Sequence, residues 1–169
     1  MNVYEVVTEE MTKEASAIQK VAEQLNKNSL EKAFDLLCKC KGKVVLTGMG
    51  KTGIIARKIS ATLASTGTTS IFLHSAEGIH GDLGMLEPGD VVIAVSNSGN
   101  TQELISLIPF LKFNHIPIIA ITGEPKSQLA KHSEVVLNCH IPKELEPLGL
   151  VPTSSTTIAL AVGDALAIA

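Results

Sequence analysis

The chain has 169 residues, 45% hydrophobic and 18% charged, with a formal net charge of −3. That length and balance suit one domain with a real core and exclude a disordered or coiled-coil chain. Fourteen Lys and Arg residues, four Phe, one Tyr and no Trp supply neither the basic surface nor the stacking rings that nucleic acid requires.

The amino terminus, Met1-Asn2-Val3-Tyr4-Glu5, lacks the basic-then-apolar pattern of a signal peptide. No apolar run approaches the roughly 20 residues that span a bilayer. A cytoplasmic protein with no membrane partner is expected. Residues 5–26 place Val6, Val7, Met11, Ala15, Ile18, Val21, Ala22 and Leu25 at helical spacing, which predicts one long amphipathic helix. Asn28-Ser29 offers a cap for a second helix over 30–39. Cys38, Cys40 and Cys139 are odd in number and wrongly spaced for a zinc site, so ordinary reduced thiols are expected.

From Lys43 onward short apolar strands alternate with helices. Strands are predicted at 44–47, 70–73, 91–95, 117–121 and 135–137. Helices are predicted at 52–65, 76–80, 101–113 and 127–131, with a last, Ala-rich one from Thr153 to the end. Near-continuous Val/Ile runs indicate strands buried on both faces, hence a parallel sheet between helical layers. The expected fold is α/β: a three-layer, doubly wound, mostly parallel five-stranded sheet of flavodoxin-like type, with N-terminal helices. Ligands of such folds bind at the carboxyl ends of the strands.

Two loops occupy those ends. Gly48-Met49-Gly50-Lys51-Thr52-Gly53 follows the first strand, and Ser96-Asn97-Ser98-Gly99-Asn100-Thr101 follows the third. Strands that deliver small, hydroxyl-rich residues to helix starts build anion sites from backbone amides, hydroxyls and the helix dipole. A ligand with a phosphate at one end is therefore expected. The first loop matches the glycine spacing of a dinucleotide fingerprint, but the next strand ends in Leu73-His74-Ser75 rather than in the acid that meets the ribose. A P-loop is excluded because Val45 stands where its first glycine belongs.

Asn100 and Glu103 have the spacing of a capping box. Glu103 would also feel a bound phosphate, which raises a carboxyl toward a useful proton acceptor, while the helix dipole opposes that shift. The segment 74–82 gathers His74, Glu77, His80 and Asp82. These residues suit a divalent metal, or a neutral His80 imidazole placed for proton transfer. Lys143-Glu144-Leu145-Glu146-Pro147 reads as a polar loop. The run Pro152-Thr153-Ser154-Ser155-Thr156-Thr157 holds more hydroxyls than one N-cap needs, which suggests contacts with substrate hydroxyls.

Taken together, these segments resemble the sugar isomerase (SIS) domain family, and among its members the arabinose 5-phosphate isomerases. The residues that carry the resemblance are Thr47 to Gly53, Ala64-Ser65-Thr66-Gly67-Thr68, His80-Gly81-Asp82-Leu83-Gly84-Met85, Ser96-Asn97-Ser98-Gly99, Pro147-Leu148-Gly149-Leu150 and Pro152 to Thr157. It spans about Lys43 to Ala169 and does not include the pair of CBS domains into which such isomerases usually continue. It implies a single SIS domain over 1–169, with 1–40 an N-terminal helical segment and 41–169 a sugar-phosphate-binding α/β core.

The resemblance also implies roles. Ser96, Asn97, Ser98 and Thr101 form the phosphate cradle, and Gly50, Gly67, Thr68, Ser154 and Ser155 join the substrate-binding set. Lys51, His80, Glu103 and Glu144 are the catalytic candidates, with His80 also touching substrate. His74 marks a position for a divalent metal such as zinc that activity does not require. The implied reaction interconverts D-arabinose 5-phosphate and D-ribulose 5-phosphate through a cis-enediol. The alternative is a non-catalytic sugar-phosphate sensor. The apolar surface of the first and last helices suggests a homo-oligomer, dimer or tetramer, with His80 donated to a neighbouring site.

Overall fold

The computed structural model describes residues 2–145, 149 and 151–169. Five strands, β1 (Val44–Gly48), β2 (Ser70–His74), β3 (Val91–Val95), β4 (Ile118–Thr122) and β5 (Val135–Asn138), form a sheet in the order β2-β1-β3-β4-β5. Every pairing is parallel, so the expected mostly parallel sheet is wholly so. The central strands β1, β3 and β4 are buried at every position, whereas the edge strands β2 and β5 are only partly so. That difference follows from the doubly covered interior of a parallel sheet.

Alternating strand residues serve two cores. On one side Val44, Leu46, Ile93, Ile119 and Ile121 meet helices α1 (Val3–Gln24), α2 (Lys27–Cys38), α3 (Gly50–Ser65) and α8 (Ser154–Ile168) through Val21, Ala33, Ile59, Ile158 and Val162. On the other, Val45, Val92, Ala94 and Ala120 meet helices α5 (Gln102–Ile105), α6 (Ile108–Phe113) and α7 (Gln128–His132) through Leu104, Leu107, Ile108, Leu111 and Leu129. Short α4 (Ser75–Ile79) packs against α5. A 3₁₀ turn over Asp82–Met85 precedes β3. The α3 and α8 axes approach closely at Gly163, where any added Cβ would overlap the Ile59 side chain. None of the described helices is long and apolar enough to cross a membrane.

Two expectations change. The second helix begins at Lys27 and is capped by Asn26, whose side chain accepts from Ser29 N at 3.0 Å, so Asn28-Ser29 is not the cap. The helix expected over 101–113 divides into α5 and α6. Pro109 has no N–H to return to Ile105 and its ring crowds that carbonyl, so the hydrogen-bond ladder breaks although Ser106 and Leu107 stay helical. In keeping with the surplus apolar surface expected of the first helix, only Ala17 and Val21 of α1 are buried. Val3, Tyr4, Val7 and Met11 in its amino half are more than half exposed.

At the base of the sheet, Asp90 carries a carboxylate with no exposed side-chain surface. It accepts from Lys43 N at 2.9 Å, Glu87 N at 2.8 Å and Lys43 Nζ at 2.8 Å. Burial would raise this carboxyl, but the Lys43 ammonium and the two amides outweigh burial and hold it below its ordinary value.

Candidate active site

The chain leaves β1 toward β2 and leaves β3 toward β4, so the sheet order reverses between these neighbours. A crevice opens at such a switch point, at the carboxyl ends of the strands. Gly48 and Val95 stand there side by side, and both singled-out loops start from them.

The β1–α3 turn is tight. A Cβ at Gly53 would lie 2.9 Å from the Gly48 carbonyl oxygen, so only glycine lets α3 begin directly against its strand. Gly50 has φ +56°, and Thr52 Oγ1 donates to Met49 O at 2.8 Å. Gly50 and Lys51 are exposed on the rim.

The β3–α5 loop is stitched to itself and to the next loop along the sheet. Buried Ser96 holds its hydroxyl 3.0 Å from Thr101 Oγ1 and accepts from Gly99 N at 3.1 Å. Thr101 is the N-cap of α5 but makes no side-chain cap bond. The expected Asn100–Glu103 capping box is absent. Asn100 instead accepts from Gln128 N at 3.0 Å, at the start of α7. Glu103 is left half-buried in the first turn, where helix amides have no intrahelical partner.

Residues that the sequence did not single out support this cradle. Asn97 O accepts from Gly123 N at 3.0 Å and from Thr122 Oγ1 at 3.3 Å. Gly99 O accepts from Leu129 N at 2.9 Å. Gly99 lies at φ +60° with Ser127 filling the space a side chain would take, and Asn97 Oδ1 covers Gly123 in the same way. The available signal was Thr122-Gly123 at the end of the strand beside β3, followed by Ser127, which caps α7 by accepting from Ala130 N.

The third element is the start of α8. Glu144 Oε2 accepts from the amides of Thr153 and Ser155, each at 3.2 Å, and Glu144 Oε1 accepts from the Ser155 hydroxyl. A carboxylate at a helix amino end gains from charge-assisted bonds and the dipole. Ser155 in turn lines a narrow cleft of about 10 Å³ with Thr52, Val95, Asn97, Thr122, Gly123 and Cys139. The α3 start, the cradle and the α8 start therefore share one space. Burial pushes the Cys139 thiol up to about 12, which keeps it protonated and inert, in line with an ordinary reduced cysteine. Ser154 is buried, and its hydroxyl has no partner among the described residues.

Other expected residues lie elsewhere. His80 is exposed at the carboxyl end of α4, which follows the edge strand β2. Gly67 and Thr68 follow α3, a helix roughly 24 Å long at 1.5 Å per residue. Within one chain they sit at the opposite end of the sheet from the cradle. Among the described residues, no hydrogen bond or ion pair joins any two of Lys51, His80, Glu103 and Glu144. Of Pro147-Leu148-Gly149-Leu150, only Gly149 is among the described residues, and Glu146 also falls outside them.

His74 ends β2 edge-on to Phe72, with ring centroids 6.3 Å apart, and its Nδ1 is buried without a partner. No group of three or more His, Cys, Asp or Glu side chains gathers to hold a metal among the described residues.

A wholly parallel sheet with a hydroxyl-rich loop at its switch point defines a doubly wound α/β domain, and residues 36–169 match the family model described as "SIS domain". The chain belongs to the SIS domain family. It is 57% identical over 140 residues to the arabinose 5-phosphate isomerase KdsD of Salmonella typhi, covering 80% of this chain and 43% of that protein. It is 52% identical over 160 residues to the KdsD of Escherichia coli strain K12, covering 92% of this chain and 47% of that protein. The chain thus spans about half the length of the curated relatives it matches. The structure of an E. coli CFT073 protein in complex with arabinose 5-phosphate superposes with a TM-score of 0.94 at 40% identity, covering 99% of this chain and 90% of that one.

Proposed function

We propose that the chain is an aldose–ketose isomerase that interconverts D-arabinose 5-phosphate and D-ribulose 5-phosphate through a cis-enediol. The observation that carries this reading is the hydroxyl cradle at the switch point of the sheet, with the α8 start beside it: Ser155, the residue holding the Glu144 carboxylate, lines the same small gap as Asn97. The naming of its relatives as arabinose 5-phosphate isomerases and the arabinose 5-phosphate bound by its structural neighbour support the same substrate class.

In this reading the phosphate seats against Ser98, Asn97 and the Ser96–Thr101 hydroxyl pair. His80, supplied by a neighbouring copy, moves the proton that opens the sugar ring. Glu144 takes the proton from C2 of the open aldose and returns it to C1 of the enediol, while a second proton passes between the two oxygens, so no atom is gained or lost. Lys51 stabilises the oxyanion, an effect worth about 3 kcal/mol in comparable sites. Glu103 is the alternative base, since no cap bond occupies its carboxylate. Gly50 lets the backbone approach the sugar. Self-association completes the assembly: the exposed Val3, Tyr4, Val7 and Met11 are its contact surface, and Gly67 and Thr68 reach a cleft only from a neighbouring copy.

Incubation with pentose and hexose phosphates in deuterated water tests the reading. Deuterium incorporation together with ketose formation from D-arabinose 5-phosphate is expected. A ligand-induced thermal shift without exchange would replace the enzyme with a sugar-phosphate sensor.

A further inference from the structure

We infer that Ser155 is a positioning residue that fixes the Glu144 carboxylate for proton transfer, rather than a contact to the sugar; this rests on the isomerase reading above. Glu144 sits between β5 and α8 on a segment with no helix or strand among its described residues. A base carried on such a segment needs an external anchor, because catalysis tolerates little misplacement of the reacting groups. The anchor is the first turn of α8, and its two carboxylate oxygens are treated differently. Glu144 Oε2 takes both backbone amides, from Thr153 and Ser155. Glu144 Oε1 takes only the Ser155 hydroxyl among the described residues.

A carboxylate oxygen offers two lone pairs. Oε2 is therefore filled, whereas Oε1 accepts a single bond among the described residues, from Ser155, which itself lines the cleft. Oε2 is the anchored oxygen and Oε1 the working one, with the Ser155 hydroxyl setting the direction of its free lone pair. The hydroxyl is already committed as a donor to Glu144, and Ser155 is 5% exposed, so little of it remains for a sugar. The amides alone would hold the carboxylate at the helix end, but only Ser155 fixes its rotation.

Ser155→Ala and Ser155→Thr separate the possibilities. Ser155→Ala is expected to lower kcat by about tenfold or more, as loss of alignment does, with KM for D-arabinose 5-phosphate within about threefold and most of kcat restored in Ser155→Thr. Hydrogen–deuterium exchange across 139–145 is expected to speed up in Ser155→Ala and to return toward wild type in Ser155→Thr. A raised KM at unchanged kcat, or no kinetic change, overturns the proposal while the isomerase reading stands. If the wild-type chain turns over no sugar phosphate, the isomerase reading fails by itself. The exchange data then decide the clamp: acceleration in Ser155→Ala supports it and unchanged exchange overturns it.

Discussion

The two halves of the cleft are built on opposite plans. The Ser96–Thr101 cradle is held by backbone: carbonyls of Asn97 and Gly99 accept from the β4–α7 region, and glycines stand wherever two loops touch. The Glu144 half is held by one side chain reaching the first turn of a helix. A backbone weld survives most side-chain changes and fails when a Cβ is added. A side-chain clamp fails when a single functional group is exchanged. In the proposed reaction the phosphate end is thus held chiefly by backbone and the reacting end by a side chain.

Five changes break or sharpen that contrast. Glu144→Gln keeps the size of the side chain but removes the base, and its kcat should fall by about 10²–10⁴, the usual worth of a general base. Binding should persist, as read by a thermal shift with sugar phosphate; unchanged turnover would move the role to Glu103. Gly99→Ala attacks the weld. It forces a side chain into φ +60° and onto Ser127, so a loss of about 3 kcal/mol is expected in denaturant unfolding, together with loss of phosphate binding.

Asp90→Asn lies remote from both halves and removes charge from a buried set of hydrogen bonds. It should cost about 2 kcal/mol at pH 7. Because the folded-state carboxyl is held low, its contribution is present above the unfolded value of roughly 3.9 and lost as pH falls through the folded value. The Tm gap between wild type and Asp90→Asn should therefore close on acidification below about pH 4. Gly123→Ala should turn the Asn97 side chain aside and raise KM by about tenfold with little change in kcat, the pattern of lost uniform binding. Ser154→Ala is the mildest. Its hydroxyl is buried without a partner among the described residues, so a Tm change equivalent to less than about 1 kcal/mol is expected.

Much of the fold was legible in the chain because its signals are local. The β3 run 91–95 was delimited to the residue by its Val/Ile content, and the two loops at the switch point announced themselves by glycine and hydroxyl density. Misreadings arose where distant contacts overrode local chemistry. Asn100 and Glu103 have the spacing of a cap, yet Asn100 bonds to an amide 28 residues onward. Pro109 divided a helix that periodicity drew as continuous. Glu144 looked like one acid of a solvated loop, since nothing in the linear pattern reveals that the α8 start folds back onto it. The supporting role of Thr122, Gly123 and Ser127 was invisible for the same reason: it depends on which strand lies beside β3.

One contact ties the two plans together. Gly163 and Ile59, where α8 and α3 press closest, lie the same number of positions beyond Ser155 and Lys51, roughly 12 Å along each axis. That crossing joins the two helices whose amino ends carry the polar groups on either flank of the opening. A methyl added there would overlap Ile59, so the seam joining both flanks would have to repack at a point that touches neither of them.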